Sequence, residues 1–194
     1  MDWSGFLDFL ALAERLKCAT RHCTNSRGDP ESVAEHSWRA ALMAMLLAPE
    51  FPGVEIDRVV RMCIIHDLGE AVTGDIPTFL KNRADEETED RAVAGMLATL
   101  PEETRREFSA LFAEMNALET PEARLYKIID KLEAVIQHNE SPISTWEPLE
   151  YDLQRTYGQK EAAWFPQTVA LRQEILRRTE QKIAEESDKT ALGV

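Results

Sequence analysis

Residues Cys63 to Pro77 read C-I-I-H-D-L-G-E-A-V-T-G-D-I-P, and this stretch decides the fold. An apolar stripe with the three-and-four spacing of one helical face leads into it, formed by Ile56, Val59, Val60, Cys63 and Ile64. Continued at about 100° per residue, the stripe reaches Asp67 and then Glu70, with His66 on its flank. The core-facing side of this predicted helix therefore carries ionisable side chains at its C-terminal end.

Two carboxylates beside a histidine on a buried face need a compensating positive charge, because an ionised carboxylate is unfavourable out of water. A metal ion supplies that charge, and the adjacent His66 and Asp67 diverge enough to occupy neighbouring positions of an octahedral ion. Glu70 lies one turn further on, within reach of a water on the ion. The turn residues Thr73 to Pro77 then end the helix and bring Asp75 to the site opening. A salt-bridged helix end is the alternative interpretation.

His66-Asp67 resembles the signature doublet of the HD-domain metal-dependent phosphohydrolases. The other two ligands of that family are an upstream histidine and a downstream aspartate, which match His36 in E-S-V-A-E-H-S-W and Asp130 in K-I-I-D-K-L-E. The spacing from Arg21 through E-H-S to H-D-L-G-E-A-V-T-G-D-I-P is similar to that of the bacterial 5'-deoxynucleotidases of the YfbR type and their eukaryotic relatives. The resemblance covers about residues 5 to 140.

The expected fold is all-α, because nearly every apolar run has helical spacing and no segment alternates with a period of two. With the resemblance, we expect a single-domain HD-type helical bundle over residues 1–194. Its metal-site core spans about residues 5 to 140, and its C-terminal helices span about residues 148 to 187.

The resemblance also implies a ligand set for one divalent metal ion, formed by His36, His66, Asp67 and Asp130. Mixed nitrogen and oxygen donors favour Mn, Co, Fe or Zn over Ca. Periodicity alone places Asp130 about 140° away from the apolar stripe of its helix, so its role rests on the resemblance. Arg21 is implied as a phosphate ligand, and His22 stands where some of these nucleotidases carry Trp.

This ligand set leaves about two positions of an octahedral ion open, for a phosphoryl oxygen and for a water of lowered pKa. Glu70 is then expected to orient or deprotonate that water, and Arg21 to balance charge on the phosphoryl oxygens. The Asp75 carboxylate only accepts hydrogen bonds, which suits a ribose hydroxyl. These roles predict hydrolysis of a nucleoside 5'-monophosphate, and the resemblance favours the deoxy form.

Other functions stay open at this point. A nucleoside triphosphate substrate needs a wider site opening lined by basic side chains, for which Lys81 and Arg83 are candidates. A di-iron oxygenase of the HD type recruits further histidines, and only His22 and His138 are spare. The scaffold can also serve as a binding or dimerisation module without catalysis, although the intact ligand set argues against this.

Local signals predict several element boundaries. Ser32 followed by Glu35 is a capping box, so a helix begins at Val33 and carries His36 in its first turn, facing inward. The first helix is expected at Asp2 to Lys17, with a buried stripe of Phe6, Phe9, Leu10, Ala13 and Leu16. Residues Cys18 to Glu31 read as an irregular polar loop.

Composition limits the partners. The net charge of −13 argues against binding to a nucleic-acid polymer. No run approaches the 18 or so apolar residues of a membrane span, and no secretory leader is evident, so we expect a cytoplasmic protein. Three sparse cysteines indicate no disulfide framework. The family resemblance and the long C-terminal amphipathic helix suggest a homodimer.

Overall fold

The computed structural model describes the backbone of residues 3–192 and the side chains of residues 3–186. Helices form most of this range, together with one two-stranded antiparallel hairpin. The elements are α1 Trp3–Ala13, β1 Thr20–Thr24, β2 Pro30–Ser32, α2 Val33–Leu47, α3 Ile56–Ile65, α4 Glu70–Thr73, α5 Arg83–Leu97, α6 Glu102–Ala117, α7 Pro121–Glu140, α8 Glu150–Thr156, α9 Gln159–Ala162 and α10 Pro166–Leu192.

Helices α2, α3 and α7 form the centre of the bundle, and each packs against the other two. Their contact surfaces are fully buried apolar side chains, among them Val33, Ala40, Val59, Met62, Leu125 and Ile129. Burying one such large side chain stabilises the fold by roughly 1.5–3 kcal/mol. The predicted helical bundle is therefore confirmed, with a core that fixes three helices relative to one another.

Two capped helix starts set the register of the central helices. Ser32 Oγ accepts from the Glu35 amide at 3.2 Å, and the Glu35 carboxylate accepts from the Ser32 amide at 2.7 Å. This is the predicted capping box, and it places His36 in the first turn of α2. Helix α7 begins in the same manner, since Thr120 Oγ1 accepts from the Ala123 amide at 3.1 Å.

The central motif differs from the predicted continuous helix. Helix α3 ends at Ile65, residues 66–69 form tight turns, and the short α4 begins at Glu70. The buried side of α3 is also rotated, because Met62 is inaccessible whereas Ile64 is 53% exposed. His66, rather than Asp67, consequently continues the buried side, and the doublet lies at a helix end.

The N-terminal predictions need three corrections. Residues expected to form an irregular loop contain the β1–β2 hairpin, whose strands have five and three residues and are too short to show alternation. Helix α1 ends at Ala13 and continues as a 3-10 turn, Glu14–Lys17. Phe9 and Leu16 are buried as predicted, but Phe6 and Leu10 are exposed.

At the other end of the chain, α10 continues past the predicted limit near Ser187 to Leu192. Within residues 3–192, no helix combines the length and the apolar content that crossing a bilayer requires.

Candidate active site

Four side chains converge between the central helices. His36 comes from the first turn of α2, His66 and Asp67 follow α3, and Asp130 lies in the middle of α7. His36 Nε2 lies 3.2 Å from His66 Nε2 and 3.3 Å from Asp130 Oδ1. Asp67 Oδ2 lies 3.1 Å from His66 Nε2 and 3.9 Å from His36 Nε2. The structure thus brings all four sequence-predicted ligands together.

The electrostatics of this cluster favour a cation. Burial opposes a charge on His66, but the carboxylates of Asp67 and Asp130 outweigh it and raise the pKa of His66 to about 10. Burial likewise opposes ionisation of Asp130, yet Lys127, whose Nζ donates to Asp130 Oδ2 at 2.8 Å, and the two histidines hold its pKa well below the usual range. Two imidazole nitrogens and two carboxylate oxygens at these spacings fit a divalent transition metal ion.

Hydrogen bonds orient both imidazoles. His66 Nδ1 donates to the Cys63 carbonyl at 2.9 Å, and His36 Nδ1 donates to the fully buried Glu133 carboxylate. Arg39 Nε donates to the other Glu133 oxygen at 2.5 Å. With a proton on each Nδ1, both Nε2 lone pairs are available to a metal, as in carboxylate–histidine–metal arrangements.

Sequence reasoning missed Glu133. A signal existed, because Glu133 lies three residues after Asp130 and four before Gln137, on one face of α7. Gln137 is also buried, and its amide donates to the Thr24 carbonyl at 2.7 Å. Helix α7 therefore has a polar buried face beside its apolar one.

The Glu70 side chain is buried close to Asp67, and its Oε2 has no hydrogen-bond partner. Burial and the neighbouring carboxylates of Asp67, Asp75 and Glu89 raise the pKa of Glu70 to about 9. Carboxylate oxygens of Asp67, Glu70 and Glu89 lie within 4.8 Å of one another. A buried, unpartnered carboxylate of this kind is a strong acceptor for a proton or for a nearby cation.

Arg21 on β1 reaches the same centre. Its Nη1 lies 3.8 Å from Asp67 Oδ2, and its Nε lies 3.2 Å from the buried Glu31 carboxylate. Burial opposes the guanidinium charge, but Asp67 and further acidic groups raise the pKa of Arg21 still higher. Glu31, which also accepts from the Cys23 thiol at 3.0 Å, was not recognised from the sequence. It forms a buried ion pair with the guanidinium.

A cavity of about 360 Å³ opens beside Arg21. Its apolar wall includes Pro77, Phe79, Val135, Leu153 and Tyr157, and its polar wall includes Arg21, His22, Asp75, Thr78, His138, Glu150 and Gln154. Burial raises the pKa of Asp75. The cavity thus brings Arg21 and Asp75 to one surface.

The two spare histidines lie at this cavity, and Glu150 joins them. His22 Nε2 lies 3.1 Å from Glu150 Oε1, and His138 Nε2 lies 3.3 Å from Glu150 Oε2. The two basic candidates for a triphosphate differ in position. Lys81 pairs with Glu89 at a second cavity of about 480 Å³, which His66 and Asp67 also line, whereas Arg83 is highly exposed beside Glu87.

Residues 13–171 match the family model of the HD domain. The chain belongs to this family. A mouse relative, 5'-deoxynucleotidase HDDC2, is 33% identical over 71% of this chain and 70% of its own length. The HD-domain chain is likewise 33% identical to 5'-deoxynucleotidase HDDC2 of Dictyostelium discoideum, over 69% of this chain and 76% of that one.

A solved structure is also similar over most of the chain. It comes from Magnetospirillum magnetotacticum MS-1 and is described as a predicted metal-dependent phosphohydrolase. The TM-score is 0.79, with 29% identity and 93% of each chain covered. The fold described above is therefore that of the family.

Proposed function

We propose that this HD-domain protein is a metal-dependent 5'-deoxynucleotidase, which hydrolyses the phosphate ester of deoxynucleoside 5'-monophosphates. The convergence of His36, His66, Asp67 and Asp130 beside a cavity that contains Arg21 carries this proposal. The names of the relatives support the substrate class. We further propose Mn, Co, Fe or Zn as the ion, because the donors are two imidazoles and two carboxylates.

A divalent ion held by His36, His66, Asp67 and Asp130 would supply a Lewis acid for the phosphoryl group and would lower the pKa of a water bound to it. Glu70 acts as the proton acceptor for the attacking water. Its raised pKa indicates a strong affinity for protons, and positive charge at the four donors lowers that pKa toward the working range. A carboxylate with a pKa near the working pH is an effective general base.

Arg21 binds the phosphate through its remaining guanidinium donors. Because Glu31 and Asp67 hold the guanidinium on two sides, it is oriented before the substrate arrives. Asp75 accepts a hydrogen bond from a deoxyribose hydroxyl, and the apolar wall with Phe79 and Tyr157 covers the base. The cavity volume suits one nucleoside.

Phosphate release from deoxy- and ribonucleoside mono- and triphosphates tests the proposal, with metal-stripped protein reloaded with Mn, Co, Fe or Zn. We expect metal-dependent release from deoxynucleoside monophosphates and a fall in kcat of about 10²- to 10⁴-fold in Glu70→Gln. Glu87→Gln, an exposed carboxylate on α5, is the matched control. Release from triphosphates alone, or full activity in metal-loaded Glu70→Gln, contradicts the proposal.

We also propose that the protein forms a homodimer through α2. Four large apolar side chains of this helix are exposed and share one side at helical spacing, namely Trp38, Leu42, Met45 and Leu46. The sequence instead suggested the C-terminal helix, whose described part exposes only Val169 among its large apolar side chains. We therefore propose that a second copy of the chain packs against these four apolar side chains of α2.

A further inference from the structure

The two oxygens of the Asp130 carboxylate have different surroundings. Oδ1 faces the other donors, at 3.3 Å from His36 Nε2 and 3.6 Å from His66 Nε2. Oδ2 instead accepts a hydrogen bond from Lys127 Nζ at 2.8 Å. Lys127 and Asp130 are three residues apart on α7, so their side chains are neighbours on one helical face. The lysine therefore engages one oxygen and leaves the other to the metal centre.

The surroundings of Lys127 hold its ammonium group in place. Nζ lies 5.7 Å from the centre of the buried Tyr126 ring, and this ring contacts the His66 imidazole edge-on. Lys127 lines the cavity of about 480 Å³ together with Tyr126, His66 and Asp67. The side chains of Lys127 and Asp130 are 33% and 16% exposed, so water and salt screen their interaction only in part.

Helix α7 thus carries two charged partners of the metal centre, one on each side of Asp130. Lys127, three residues before it, brings a positive charge to Asp130, whereas Glu133, three residues after it, brings a negative charge to His36. A cation near a bound metal ion opposes binding, and an anion favours it. Removal of these two charges should therefore change the metal affinity in opposite directions.

We propose that Lys127 is a positioning residue that restricts Asp130 to one metal-binding oxygen, Oδ1. The inference rests on the metal centre of the proposed nucleotidase function. A carboxylate can bind a metal ion through one oxygen or through both, and a charge-assisted hydrogen bond from an ammonium group occupies the second oxygen. The four side chains then supply four donor atoms and leave about two positions of an octahedral ion open. Lys127 thereby reserves a position for substrate or water and lowers the affinity for the ion.

Lys127→Met tests this role, because methionine keeps most of the length of the side chain and removes its charge. We expect metal-stripped Lys127→Met to bind Co²⁺ about tenfold more tightly than the wild type in competition with a chelator, since a repelling cation is absent and Oδ2 is free. Pulsed EPR in isotopically labelled water counts the exchangeable waters on bound Mn²⁺. This number should fall from about two to about one, and kcat of the metal-saturated variant should fall by about 10- to 100-fold.

Three further variants complete the series. Lys131→Met is the matched control, because Lys131 also lies on α7 but donates to Glu161 at 2.8 Å. It should keep the wild-type Co²⁺ affinity and number of waters. Lys127→Arg retains a charged donor and should stay close to the wild type in both measurements. Lys127→Gln is a second neutral variant, for which we expect the same direction of change as for Lys127→Met.

A merely structural role for Lys127 predicts a different result. Weaker Co²⁺ binding with an unchanged number of waters in Lys127→Met overturns the inference, as does a wild-type affinity and number of waters in both neutral variants. Neither measurement requires turnover. A wild type that binds Co²⁺ but releases phosphate from no nucleotide therefore contradicts the proposed function alone.

Discussion

Glutamine at position 133 should weaken metal binding without changing any of the four donors. Glu133 is fully buried, accepts the Nδ1 proton of His36 and pairs with Arg39 Nε at 2.5 Å. Glutamine keeps the size of the side chain but removes the charge that fixes the His36 tautomer. Loss of such a partner typically weakens metal affinity by about 10- to 100-fold, which is about 1.4–2.7 kcal/mol at 25 °C.

Metal-stripped protein titrated with Co²⁺, in competition with a chelator of known affinity, gives the dissociation constant from the visible absorption of the bound ion. Glu140→Gln is the control, because Glu140 also pairs with Arg39, at 2.6 Å, but makes no contact with His36. We expect an unchanged dissociation constant for this control. A Glu133→Gln affinity within twofold of wild type, or equal weakening in both variants, refutes the assigned role of Glu133.

Two further substitutions test the packing and the proposed dimer. Gly69→Ala should lower the free energy of unfolding by about 1–3 kcal/mol, because the new Cβ would lie 2.5 Å from Glu89 Cγ and 3.0 Å from its backbone oxygen. Chemical denaturation measures this, and Gly95→Ala, with no atom within 4 Å of the new Cβ, should be neutral or stabilising by up to about 1 kcal/mol. Trp38→Glu should convert the proposed dimer to monomer in sedimentation velocity, whereas Leu80→Glu, at an equally exposed site outside α2, should not. If the Trp38→Glu protein remains a dimer, the exposed face of α2 is not the dimer interface.

Local pattern and spacing predicted the helical bundle and the positions of His36 and His66-Asp67, whereas the full set of four proposed metal ligands rested on the family resemblance. His36 follows a capping box, and His66-Asp67 follows an apolar stripe, so each position is readable from its neighbours. Asp130 required the family resemblance, because α7 has two buried faces and the periodicity of the apolar face alone points Asp130 to solvent.

Long-range partners could not be predicted. Glu133 pairs with Arg39 at a separation of 94 residues, and an isolated helical glutamate most often faces water. The role of Glu31 likewise depends on the β1–β2 hairpin, whose strands are too short for a recognisable alternation. The turns at residues 66–69 were missed because tertiary packing at Gly69, against Glu89 and Val93, overrides the helical periodicity.

Helix α7 supplies one of the four donors, whereas α8 supplies part of the cavity wall, and this separation affects how the family can diversify. None of the four donors comes from residues 150–157, yet this segment supplies Glu150, Leu153, Gln154 and Tyr157 to the cavity wall. Substitutions in it can therefore alter the preferred base while the hydrolytic centre keeps its geometry. A duplicated copy of such a gene could acquire a new nucleotide preference by a few changes in one short helix, without passing through an inactive ancestor.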